Sequence, residues 1–275
     1  MSETWRSPDP LEDARIGLAG WLRAILRAIP LVLLVFGGLI ILLVIRLFER
    51  PFFGLRRPVT PFVTQAVCRL AFVLLGIRFE TQGSPMRGAG AVVANHSSWL
   101  DIFALNARKR IYFVSKSEVA TWPGIGWLAR ATGTVFIRRD RREAASQVGI
   151  FKNRLEAGHK LLFFPEGTST DGRQVLPFKP TLFAAFFDEQ LRDHLQIQPV
   201  TVNYTAPAGA DPRFYGWWGD MEFGPHLLTT LAAKQQGKVR VCYHSPVNVR
   251  DFADRKALAK ATEETVRAGL DHFSL

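Results

Sequence analysis

Within the segment AVVANHSSWLD, His96 follows a short apolar run and Asp101 stands five residues further on. An imidazole beside a carboxylate is a general-base pair: the carboxylate orients the ring and stabilises its charged form, while the ring removes a proton from an attacking hydroxyl. On a continuous helix that spacing would leave the two side chains about 140° apart, so pairing requires a turn between them. Asn95, Ser97 and Ser98 can supply one. The same residues admit a plainer reading, in which Ser98 caps a helix, Asp101 is its third residue and His96 belongs to an ordinary loop.

Two further segments carry polar groups at the end of apolar runs. In LLFFPEGTSTDG a strand-like run ends at Phe164 and is followed by Pro165, Glu166, Gly167, Thr168 and Ser169. Such a loop offers backbone donors to an anion, and Glu166 can hydrogen-bond an acceptor headgroup; a simple strand-to-helix turn would use the same residue types. In GTVFIRRDRR an apolar run delivers Arg138 and Arg139 at its carboxyl end, where α/β sheets place their ligands. The planar fork of Arg138 suits a phosphate. Arg139, Arg141 and Arg142 read as a solvated basic patch facing lipid headgroups.

The elements that must hold these residues follow from hydrophobic patterning. From about Arg78 onward, short apolar runs alternate with turn residues and helix-compatible segments. Strands are expected at Ala91 to Ala94, Ile111 to Val114, Thr134 to Ile137, Leu161 to Phe164, Gln198 to Asn203 and Val239 to Tyr243. Because these runs are continuously apolar, the sheet should be covered on both faces, which gives an α/β domain with a mixed, mostly parallel sheet flanked by helices. Asp251 to His272 reads as a closing surface helix.

Before that domain, Ala28 to Ile45 carries no charge and is long enough to cross a bilayer. A second apolar stretch, Pro61 to Ile77, follows a basic link containing Arg46, Arg50, Arg56 and Arg57. Gln65, Cys68 and Arg69 interrupt it, so it should pack on the first helix or lie in the interface. Gly37 and Gly38 would permit close helix contact or a bend. Arginines at both ends of the first stretch fit a re-entrant hairpin. The expected organisation is a membrane-associating helical hairpin over residues 1–78 and a catalytic α/β domain over residues 79–275.

The net charge of +11 implies an acidic partner or an anionic surface, and an apolar content of 48% excludes a disordered chain. Cys68 and Cys242 lie far apart in apolar segments, as reduced buried thiols would. The six histidines are scattered with no H-E-x-x-H, so no metal is expected; no G-x-S-x-G elbow suggests a serine hydrolase, and no nucleic-acid motif appears. A non-enzymatic lipid-binding protein would explain the hairpin and the charge but not the polar segments.

Taken in order, NHSSWLD, GTVFIRR, FPEGTST and PVTVNY resemble the four motif blocks of the 1-acylglycerol-3-phosphate (lysophospholipid) acyltransferase family, over roughly residues 79–250. That resemblance implies a glycerolipid acyltransferase-like fold and transfer of a fatty acyl chain from acyl-CoA or acyl carrier protein to a lysolipid hydroxyl, with no cofactor. It implies His96 as general base with Asp101 as its partner. Arg138 would hold the acceptor phosphate, with Gly133 and Phe136 in the same block; Glu166, Gly167, Thr168 and Lys179 would line the acceptor side, and Pro199 would shape the donor side. It further implies membrane lipids as neighbours and a bacterial inner membrane with the catalytic domain on its cytoplasmic face. Two departures bear on the acceptor. PFKPTLF places Pro180 and Thr181 after Lys179, where the family often has glycine, and the aromatic segment RFYGWWGDMEFGPH is similar to that of bacterial acyltransferases acting on lyso-aminolipids such as lyso-ornithine lipid, so the acceptor implied is lysophosphatidic acid or a lyso-aminolipid. An aromatic cluster packed in the core or at the membrane interface is the alternative reading of that segment.

Overall fold

Residue spacing and turn chemistry build the N-terminal hairpin. In the computed structural model, which describes residues 4–9, 11, 15–137, 144–189 and 191–274, helix α1 runs over Leu18–Phe53 and helix α2 over Thr60–Leu75. The uncharged stretch is thus the middle of a 36-residue helix. Arg46 and Arg50, expected in the connecting link, instead lie within α1, which continues to Gly54 and ends there with φ at 56°. The link itself folds around Glu49. Its carboxylate accepts the Val59 and Thr60 N–H groups and the Thr60 hydroxyl at 2.7–3.2 Å, placing an anion at the positive end of α2. Of the two adjacent glycines, Gly38 makes the close contact: a Cβ there would lie 2.4 Å from Val67 Cγ2, whereas Gly37 faces open space.

The hairpin is bonded to the rest of the chain at both of its ends. Arg23 donates to the carbonyl of Ala232, and Arg27 to those of Leu231 and Ala233. Beyond the turn, Arg57 donates to the Ala131 carbonyl, and midway Arg69 donates to that of Ala107.

The sheet contains β1 (Arg78–Gly83), β2 (Gly90–Ala94), β3 (Tyr112–Lys116), β4 (Val135–Ile137), β5 (Lys160–Phe163), β6 (Gln196–Thr205), β7 (Lys238–Tyr243) and β8 (Val247–Asn248). Its order is β1-β7-β6-β2-β5-β3-β4, with β8 pairing β6. Strands β6, β2, β5, β3 and β4 run parallel, while β7 and β8 are antiparallel to β6. The edge strand β1, RFETQG, has no apolar run to announce it; it forms by full parallel pairing with β7. Pro199 has no N–H to offer and lies beside Val93, where the β7–β8 edge is interrupted; its carbonyl accepts the N–H of His244.

Alternate residues of β2 feed two cores. Val92 and Ala94 pack with α1, α2, α6 (Phe223–Ala232) and α3 (Asp101–Arg108), while Ala91 and Val93 pack with α5 (Ala144–Glu156), α7 (Arg255–Ser274) and a 3-10 segment at Pro180–Phe187. The expected terminal helix is α7, started by the Asp254 carboxylate accepting the Lys256 and Ala257 N–H groups. It buries Leu258, Thr262, Val266 and Leu270 at fourfold spacing, so one of its faces is core. Helix α4 (Ile125–Thr132) leads into β4 through Gly133.

Candidate active site

The carboxyl end of β2 is where the chain turns, and Asn95 fixes how it does so. Its side chain donates to the Val202 carbonyl and accepts the Val202 N–H, continuing the pairing of β2 with β6 by one residue through an amide group. The turn then swings His96 against Asp101: Nδ1 lies 2.7 Å from Oδ2. The same oxygen accepts the N–H groups of Ser97 and Ser98 at 2.9 and 3.1 Å. The pairing reading holds, whereas the capping reading is corrected: α3 begins at Asp101 with Leu100 before it, and the Ser98 contacts, its N–H on Asp101 and its Oγ accepting from Leu100 N, belong to the turn that precedes the helix.

The other oxygen, Oδ1, accepts the hydroxyl of Tyr204 at 2.8 Å. Burial, with Asp101 next, raises the Tyr204 pKa well above its ordinary value, so the phenol remains a donor. Asp101 is fully buried and all four of its contacts are donors, the arrangement an ionised carboxylate needs. A carboxylate only accepts, so the His96 proton sits on Nδ1, leaving the Nε2 lone pair free to act as a base. Phe164 stacks on the imidazole at 4.0 Å, and the His96 side chain keeps 21% of its surface exposed.

Glu166 lies against this turn. Its Oε1 accepts the His96 N–H at 2.7 Å and its Oε2 the Leu176 N–H at 2.8 Å, with 1% of the residue exposed. Burial pushes its carboxyl up to about 8, opposed by those two hydrogen bonds. Both oxygens are spent on backbone, so in this arrangement Glu166 locks the third block to the first. The lock is reinforced where Thr170 N donates to the His96 carbonyl.

Gly167 closes the turn with φ at 76° and its N–H on the Phe164 carbonyl. Thr168 is half-buried and its hydroxyl accepts Trp5 N at 3.3 Å. The Lys179 N–H donates to the Pro165 carbonyl, which places the lysine at the base of the same loop. Strand β4 ends at Ile137 on the edge of the sheet shared with His96; Arg138, and with it Arg139, Arg141 and Arg142, lies outside the described residues. Gly133, at the start of β4, sits at the opposite edge.

The aromatic segment packs on this turn. Trp217 N donates to the Ser97 carbonyl at 2.8 Å, Trp99 Nε1 donates to His226 Nδ1 at 2.9 Å, and Tyr215 and Trp218 are buried. Tyr204, Asn95 and His226 were not singled out by spacing, since their partners lie 103, 107 and 127 residues away. The one sequence signal for Tyr204 was its position closing the fourth block.

Residues 77–203 match the family model described as Acyltransferase. Across 270 residues the chain is 57% identical to a lyso-ornithine lipid O-acyltransferase of Rhodobacter capsulatus, covering 98% of each chain. The chain belongs to the lysophospholipid acyltransferase family. A lyso-ornithine lipid O-acyltransferase of Brucella abortus is 39% identical over 78% of this chain and 82% of its own length. A 1-acyl-sn-glycerol-3-phosphate acyltransferase of Neisseria meningitidis is 32% identical over 64% and 68%. The fold is shared with the crystal structure of the 1-acyl-sn-glycerophosphate acyltransferase of Thermotoga maritima, at a TM-score of 0.65 and 23% identity over 93% of this chain and 96% of that one.

Proposed function

We propose that this acyltransferase moves a fatty acyl chain from an acyl thioester, carried by CoA or acyl carrier protein, to the free hydroxyl of lyso-ornithine lipid. The observation that carries the chemistry is the His96–Asp101 contact, with Nδ1 engaged and Nε2 free. In the proposed step the acceptor hydroxyl oxygen bonds to the thioester carbonyl carbon while His96 Nε2 takes its proton. The tetrahedral intermediate collapses, the C–S bond breaks, and the departing thiolate receives the proton from the imidazolium, which Asp101 has stabilised. No acyl-enzyme forms, and the histidine ends neutral, as it began.

The acceptor reading rests on likeness along 98% of the length to the Rhodobacter protein. Lysophosphatidic acid is the alternative acceptor, favoured by the similarity to the Neisseria protein.

We read residues 1–78 as the membrane-facing part and residues 79–275 as the catalytic part. Large apolar side chains stay exposed along α1, among them Leu22, Leu26, Leu33, Ile40, Leu47 and Phe53. The helix is about 54 Å long, against about 30 Å of hydrocarbon. Because Arg23 and Arg27 bind α6 near one end and Arg57 binds α4 just past the other, a perpendicular helix would drag the catalytic part into the bilayer. A helix lying along the surface avoids this and lets a lysolipid enter sideways; the surface proposed is the cytoplasmic face of the inner membrane.

The deciding experiment offers purified protein labelled acyl-CoA or acyl carrier protein with lyso-ornithine lipid or lysophosphatidic acid. Diacylated ornithine lipid as the main product supports the reading, and phosphatidic acid as the only product overturns the acceptor assignment.

A further inference from the structure

At the end of the strands away from His96, two arginines gather, and among the described residues neither has an ion pair with a carboxylate. Tyr112 opens β3, His159 immediately precedes β5 and Gly133 lies two residues before β4, all parallel to β2, so these residues lie at the opposite end of the strands from the dyad. Arg154, 9% exposed, donates to the Gly133 carbonyl and lies over the Tyr112 ring at 4.8 Å. Arg57, from the α1–α2 turn, donates to the Ala131 carbonyl, and a Cβ on Gly133 would come within 2.9 Å of its Cζ. Among the described residues, the buried Nε atoms of both arginines have no hydrogen-bond partner.

His159 stacks on the Tyr112 ring, with the ring centroids 3.9 Å apart. Burial, then Arg154 and Arg57, hold its pKa down at about 3, so it stays neutral and adds no charge. Burial and the charge of Arg57 likewise bring Arg154 down to about 10. The carboxylate whose charge reaches Arg57, Glu49, already accepts from Val59, Thr60 and Arg46. Desolvated guanidiniums with an unpartnered donor and no carboxylate hydrogen-bonded to them are costly unless an anion completes them.

We propose that Arg57 and Arg154 form a seat for the phosphate of an anionic membrane lipid, separate from the acceptor site. A lipid is favoured over a free ion because the turn that carries Arg57 also carries Phe52, Phe53 and Leu55, which leave 81%, 52% and 49% of their surface exposed, and the exposed Arg50 and Arg56. Two planar forks facing one tetrahedral anion supply the directed donors that a scattered basic surface lacks. The seat would fix the hairpin turn at headgroup depth.

Co-flotation of the 275-residue protein with phosphatidylcholine vesicles, with and without phosphatidylglycerol, tests this, since the readout is binding and does not depend on His96. Phosphatidylglycerol should strengthen wild-type binding by about tenfold or more, and Arg57→Gln and Arg154→Gln should each remove most of that gain. Binding to pure phosphatidylcholine should be unchanged in both. Arg173→Gln, an equal loss of charge at the other end of the strands, is the control, and thermal melts confirm folding; Arg57→Gln, at a position less buried than Arg154, decides alone if Arg154→Gln does not fold. An equal loss in Arg173→Gln would reduce the effect to general charge and overturn the proposal. So would an Arg57-dependent rise in Tm with inorganic phosphate, at matched ionic strength, without any Arg57-dependent lipid effect, because the seat would then serve a free ion.

Discussion

Tyr204, near the end of β6, donates its hydroxyl to Asp101 Oδ1 at 2.8 Å, on the opposite side of the carboxylate from His96. The dyad is thus a chain of three groups, and its carboxylate is held by two strands and a helix. Removing the hydroxyl leaves one buried carboxylate oxygen without a partner. Tyr204→Phe should lower Tm by the equivalent of about 1–3 kcal/mol and lower kcat more than it raises KM, which melting curves and steady-state kinetics would read.

Asp101→Asn keeps the shape of the side chain but removes its charge. The Ser97 and Ser98 N–H groups hold the amide oxygen in the place of Oδ2, beside Nδ1, and the nitrogen faces the Tyr204 hydroxyl, so the imidazolium formed in the reaction loses its counter-charge. A fall in kcat of about 10³-fold or more is expected, with the protein still folded by circular dichroism.

Glu166 makes a prediction about pH. Its folded carboxyl titrates near 8, above the ordinary value of 4.5, so between those values the folded state holds a proton that the unfolded state has released. Its contribution is present below pH 4.5 and is lost as pH rises through about 8. Wild-type stability should therefore decline over this window relative to Glu166→Gln, which does not titrate. Parallel urea titrations from pH 5 to about pH 8.5 would show converging or crossing curves; parallel curves would mean that Glu166 is ionised throughout.

The hairpin contact can be tested by volume. Gly38→Ala puts a methyl group 2.4 Å from Val67 Cγ2 and should destabilise by about 1–3 kcal/mol, with Val67→Ala restoring most of the loss. Gly37→Ala, facing open space, should be neutral or slightly stabilising.

How far the sequence reaches depends on the range of each interaction. The dyad was legible because His96 and Asp101 are five residues apart and a turn between them is written in Asn95, Ser97 and Ser98. The apolar strands were legible because AVVA and LLFF are buried on both faces. Strand β1 was not, since RFETQG is polar and its pairing with β7 is decided 160 residues away. The length of α1 was hidden by its arginines, which the fold uses as helix residues that bind carbonyls at its margins. Glu166 was visible as a candidate, but its bond to the His96 backbone spans 70 residues and no local pattern specifies it.

The most direct test of the central claim is acyl transfer by His96→Ala beside wild type, with membrane binding followed in the same preparations. The account predicts that the variant binds vesicles as the wild type does and transfers acyl chains at least about 10³-fold more slowly at saturating substrates. A variant that retains wild-type kcat would contradict the assignment of His96 as the base.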